Sequence, residues 1–241
     1  MKILSIDTSG QAAGLAIISA PKSETEGNGK VIAEFTLNDK INHSVTIMPL
    51  LQQMLKAVNM EIADMDYIAS ASGPGSFTGL RIGASIAKAL AHASDKRLVP
   101  VSTLLGLAYN VLVSDKIIVP IMDAKRNQVY AAAFVKSGDK FKTLLDTTAD
   151  DIINLAGIIK TYDKPAVFVG CGVFIYKNQI LDAGFEIAPE NCNLQRASSI
   201  GLAAVPLIKQ GADVNYNEFE INYARKPQAE RELGLKNGLK V

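Results

Sequence analysis

The run Gly73-Pro-Gly-Ser-Phe-Thr-Gly-Leu-Arg-Ile-Gly83 is the feature of this chain with most capacity for chemistry. Glycines at a strand-to-helix turn tolerate positive φ and expose amides at a helix N-terminus, where anions bind. The run is not a Walker A loop, since no Lys-Ser/Thr pair follows its last loop glycine. Nor is it a GxGxxG fingerprint, because position 78 is Thr. The same glycines could equally serve close packing of a helix on a sheet. Asp7 and Asp123 each end an apolar run and precede a turn. Carboxylates placed so can hold a metal–phosphate, or can bond the amides of their own turn. Gly170-Cys171-Gly172 offers another close approach, to a base or ribose, or is a plain turn. The candidate nucleotide contacts are therefore Asp7, Gly75, Ser76, Asp123, Gly170 and Gly172. The turn with Lys125, Arg126 and Asn127 has no glycine and is poorly suited to wrapping phosphate.

Other chemistries fail on counting. His43 and His92 are the only histidines, and position 47, one turn after His43, is Ile, so a metallopeptidase helix is incomplete. No GxSxG nucleophile elbow occurs. Cys171 and Cys192 form no CxxC and cannot make a four-thiolate zinc site. No catalytic residue and no metal ligand is expected.

The elements that must position these residues follow from hydropathy periods. Strands are predicted over 3–6 and 14–18, forming a hairpin around Asp7, with a third at 31–37 after a polar loop at 21–30. Val45, Ile47, Met48, Leu51, Met54, Leu55 and Val58 have helical spacing, which predicts a helix over 44–58 that Pro49 starts or kinks. A strand at 67–71 runs into the glycine run, and a helix continues from Leu80 to about 93. A strand at 98–101, a Ser102 N-cap and a helix over 103–113 complete one unit. The pattern then restarts. Strands are predicted over 117–122 and 129–135, a helix over 151–160 capped by Asp150, a strand over 166–169, and helices near 174–182 and 198–209. Two copies of a βββαβα-like α/β unit result. The expected division is 1–101 plus about 197–211 as one lobe, 102–196 as the other, and 212–241 as a tail. Gly79, Gly83, Ala87 and Ala91 recur every four residues, giving a flat helix face. That face serves packing within its domain or a subunit interface beside Met48, Leu51 and Leu55.

Composition narrows the partners. Lys plus Arg is 25 against 24 for Asp plus Glu, so the surface lacks the basic excess of a domain that grips a phosphate backbone by itself. No stretch approaches the roughly 20 apolar residues of a membrane span, and the apolar start at Ile3 meets Asp7 too soon for a signal peptide. A cytoplasmic protein without membrane partners is expected.

The chain resembles the TsaB (YeaZ) family. ILSIDTS at the start, HS before an apolar helix, GPGSFTGLRIG, PIMDAKRNQVYAA, VGCG near 170 and NYARKP near 223 carry the likeness over nearly the whole chain. GPGSFTGLRIG is the specific part; the long 21–30 loop and Ala224, where Leu is usual, are departures. The resemblance implies the actin-like ATPase (ribonuclease H-like) fold with two related lobes. It implies a role in forming N6-threonylcarbamoyladenosine at position 37 of tRNAs that read ANN codons, as a non-catalytic subunit. In that family the catalytic relative TsaD carries the metal, the ATPase TsaE is a third component, and TsaC supplies the threonylcarbamoyl adenylate. Pairing through the first-lobe helices is implied as well. The expected face for a TsaD heterodimer, or for a homodimer when alone, is then Met48, Leu51, Leu55, Gly79, Arg81, Gly83 and Ala87. tRNA would be met only through the complex. No cofactor of its own is expected; ATP or ADP would sit at the subunit interface, with the metal supplied by the partner. Two alternatives are a small-molecule kinase of the same fold, which would need a better phosphate loop, and a glycoprotease-type peptidase, which would need the absent histidines or triad.

Overall fold

Apolar runs too short for helices dominate both halves of the chain, and each half builds a five-stranded sheet from them. The computed structural model describes residues 1–22, 29–38, 43–111, 113, 115–138 and 140–223. The first sheet holds β1 (Lys2–Asp7), β2 (Ala13–Ser19), β3 (Lys30–Leu37), β4 (Tyr67–Gly73) and β5 (Arg97–Ser102), in the order β3-β2-β1-β4-β5. The second holds β6 (Ile117–Asp123), β7 (Val129–Ser137), β8 (Lys140–Asp150), β9 (Ala166–Val169) and β10 (Glu186–Ile187), in the order β8-β7-β6-β9-β10. In both, the first three strands form an antiparallel meander and the last two add in parallel to the first. This duplicated topology is the two-lobed actin-like, ribonuclease H-like architecture. Central β1, β6 and β9 are buried on both faces, which is why they read as unbroken apolar runs rather than alternating ones.

Helices cover the faces. On the first sheet, α1 (His43–Ala57) and α2 (Phe77–Ser94) bury Ile47, Leu51, Met54, Ala84 and Ala87 against Leu4, Ile6 and Leu15. Its other face takes α6 (Ala197–Lys209), whose Ile200, Ala203 and Ala204 meet Ile3, Ala16 and Val99. On the second sheet, α4 (Ile152–Lys160) and α5 (Gly172–Asp182) pack with Ile117, Val119 and Phe168. Between the sheets, α3 (Thr103–Ala108) places Leu104 and Leu107 against Ile118 and Met122.

Four sequence expectations shift. α3 ends at Ala108 rather than 113. The cap of α4 is Asp151, whose Oδ1 accepts from Ile153 N and Asn154 N at 2.9 Å each; Asp150 ends β8 instead. β8 itself has no counterpart in the sequence reading, because it is an exposed edge strand in which Lys and Thr interrupt the apolar pattern. The two-residue β10 is too short to leave a period. Residues 23–28 of the polar loop and 224–241 of the tail lie outside the described residues. The 212–223 part of the tail is a packed strap: Val214 bridges Leu98, Phe219 is buried, and Asn222 N donates to Ser72 O at 2.7 Å.

Glu34 ties β3 to α6. α6 has no capping side chain of its own, and Glu34 Oε1 accepts from Ser198 N at 3.0 Å while Oε2 meets Arg196 Nη2 at 2.6 Å. Burial would raise the Glu34 carboxyl, but the bonds from Arg196 and Ser198 outweigh it and hold the group below its usual range. Its stabilising contribution is therefore present above that range and lost as pH falls through it. Glu34→Ala should cost about 1–3 kcal/mol at neutral pH, measured by urea unfolding, and the gap to wild type should close in acid.

Candidate functional site

The glycine run does its first work inside the lobe. Its turn sits on the β1–β2 turn, where Ser76 N donates to Ser9 O at 2.7 Å and Thr8 Oγ1 donates to Gly79 O at 2.7 Å. A Cβ on Gly79 would overlap the Thr8 carbonyl oxygen, and one on Gly83 would lie 2.5 Å from Thr8 Oγ1. The Gly79, Gly83, Ala87 and Ala91 stripe thus faces inward and is buried, along with Leu51. These residues cannot also form an exposed partner face. Periodicity correctly gave a flat surface but could not say which side it met.

Asp7 is 3% exposed beneath the same turn, and its Oδ1 accepts from Ser9 N at 2.9 Å and Ser9 Oγ at 2.6 Å. Burial outweighs these bonds and pushes the carboxyl up to about 6, from 3.8. The folded chain therefore holds this proton more tightly than the unfolded chain, and stability falls as pH rises from about 4 to about 6. Asp7→Asn keeps an acceptor oxygen without the charge. It should gain up to about 3 kcal/mol above that window and flatten the pH dependence, as read from melting curves between pH 4 and pH 8 for both proteins. A loss of stability at neutral pH would show that the carboxylate is held by attractions beyond Ser9.

In the second lobe Asp123 serves its own turn in the same way: Oδ1 accepts from Lys125 N at 2.8 Å and Oδ2 from Lys125 Nζ at 2.6 Å. Lys125, Arg126 and Asn127 then have φ of 62°, 57° and 59°. Three successive left-handed residues without glycine cost roughly 1–2 kcal/mol apiece. Between the two turns opens a cleft of about 1010 Å³. Gly75, Ser76 and Asp123 line it, as do Arg126, Cys171, Phe174, Ile175 and Gln195. Asp7, Gly170 and Gly172 do not line it; Gly170 N is taken by Asn193 Oδ1 at 2.9 Å. The residues do not fit a metal–triphosphate between the lobes. Both carboxylates are engaged by their own turns, and the Gln195 side chain packs against Gly10 where a Cβ would otherwise lie. Gln195, Phe174 and Ile175 escaped the sequence reading because they come from separate segments with no shared motif.

The other exposed feature is the outer face of α1 and the start of α2. Val45 is 63% exposed, and Met48 and Phe77 are exposed beside it in the fold's first lobe. The Arg81 guanidinium lies 4.0 Å above the Phe77 ring and its Nε donates to Tyr223 Oη at 3.2 Å. Phe77, Arg81, Ile82 and Ile86 line a groove of about 410 Å³. Of the residues expected on the partner face, Met48 and Arg81 are exposed and Leu55 is half-buried.

Comparison with known proteins agrees with the geometry. The family model described as TsaD: tRNA N6-adenosine threonylcarbamoyltransferase matches residues 30–233. Over 182 residues, 76% of each chain, the protein is 35% identical to the tRNA threonylcarbamoyladenosine biosynthesis protein TsaB of Bacillus subtilis (strain 168). The chain belongs to the TsaB family. YeaZ from Pseudomonas aeruginosa has the same fold, with a TM-score of 0.74 and 18% identity over 92% of this chain and 99% of that one. The likeness of this TsaB-family chain extends to the tRNA N6-adenosine threonylcarbamoyltransferase of Rhizobium etli, 28% identical over 185 residues that make up 70% of this chain and 48% of the transferase.

Proposed function

We propose that this chain binds TsaD and makes it competent for threonylcarbamoyl transfer to adenosine 37 of ANN-reading tRNAs, without catalysing the transfer itself. Membership of the TsaB family carries the broader statement, a role in tRNA threonylcarbamoyladenosine biosynthesis. The observation that carries the finer one is the exposed apolar face of α1 and α2. Scattered surface hydrophobics are ordinary, but Val45, Met48 and Phe77 lie on neighbouring helices beside a groove, as partner sites do. TsaD has a related sequence, so pairing of like faces about a pseudo-two-fold axis is the simplest geometry. The same face pairs two copies of this chain when TsaD is lacking. TsaE joins as a third component, tRNA is met through the complex, and any ATP or ADP sits at the subunit interface with the partner's metal. A subunit role also accords with Asp7 and Asp123, each turned to its own hairpin rather than to a substrate.

Mixing this chain with TsaD and measuring mass by light scattering after gel filtration tests the association. A one-to-one complex is expected. Two separately eluting species would overturn the proposal.

A further inference from the structure

The cleft between the lobes has features that neither packing nor a partner face explains. The strained β6–β7 turn lines the same cleft. Lys125 is paired with Asp123, whereas Arg126 makes no hydrogen bond or ion pair among the described residues, so the spare charge is a single guanidinium. Part of the wall is apolar. Phe174 and Ile175 are 53% and 55% exposed there, with Met122 behind them.

We propose that this cleft binds a small organic oxyanion with an apolar body. Arg126 takes the acid group, and Phe174, Ile175 and Met122 cover the body. A volume of about 1010 Å³ accommodates a molecule of metabolite size. A nucleoside triphosphate with its metal is the wrong class. Its charge needs several cations, and of the two in the β6–β7 turn Lys125 is already paired with Asp123.

The test uses the full-length protein with anilinonaphthalene sulfonate, an aromatic body carrying one acid group, and its neutral relative phenylnaphthylamine. Saturable fluorescence enhancement is expected for both dyes. Arg126→Ala, an exposed position whose loss leaves the core intact, should weaken the sulfonate by about tenfold or more and leave the neutral dye unchanged. Ile175→Asp should weaken both, and magnesium-ATP should displace neither. Unchanged sulfonate affinity in both variants would put the dye elsewhere, such as the α1–α2 face, and overturn the proposal. Competitive displacement by magnesium-ATP would overturn it too, by making the cleft a nucleotide site.

Discussion

Gly79→Ala destabilises the protein by about 3 kcal/mol or more, although alanine is the better helix former by about 1 kcal/mol. The opposing terms can be separated. Gly79 opens α2 directly over the Thr8 carbonyl, and the added methyl meets backbone rather than a side chain that could swing aside. Either the helix start or the β1–β2 turn must move, and both the Thr8 Oγ1 to Gly79 O bond and the Ser76 N to Ser9 O bond depend on that contact. Each is worth about 1 kcal/mol. A control lies in the second lobe. Gly157 is inside α4 with nothing within 4 Å of its would-be Cβ, so Gly157→Ala should stabilise by up to about 1 kcal/mol. Urea unfolding of the two variants should therefore give shifts of opposite sign. A Gly79→Ala protein as stable as wild type would mean that the motif glycines are not there for close packing.

Met48→Asp combined with Phe77→Asp should weaken TsaD binding by about a thousandfold, as two hot spots of about 2 kcal/mol each would. Met48 and Phe77 are 39% and 38% exposed in the free chain, and Phe77 also meets Arg81 and Tyr223, so the double variant's melting temperature is measured alongside its binding. Gly83→Arg is the tempting alternative and the wrong one. That position faces Thr8 Oγ1, so arginine would disrupt the lobe, and any loss of binding would report unfolding. Calorimetric titration of the double variant against TsaD is decisive. Wild-type affinity in a folded double variant would place the partner surface off these helices.

Much of the architecture was legible because burial on both faces writes continuous apolar strands, and both hairpins announce themselves by Asp at the strand end. β8 was not legible. An edge strand with water on one side keeps Lys and Thr where a buried strand would have Val. The small-residue stripe of α2 was visible as a period, but a period carries no direction, and only the position of Thr8 showed that it faces inward. Asp7 and Asp123 were recognised as turn residues with two open roles; the distances to Ser9 and Lys125 distinguish them. The cleft was only partly legible. Gly75, Ser76 and Asp123 stood out by motif, whereas Arg126, Phe174 and Gln195 converge from the β6–β7 turn, α5 and the segment before α6. Convergence across such separations is a property of the fold, and no local spacing records it.

The central claim is that this chain activates a catalyst it does not contain. Reconstituted modification of an ANN-reading tRNA by TsaD, TsaC and TsaE, with and without this protein, measures that directly by the yield of threonylcarbamoyladenosine. Little product is expected until the chain is added, and none from the chain without TsaD. Undiminished modification in its absence would contradict the account.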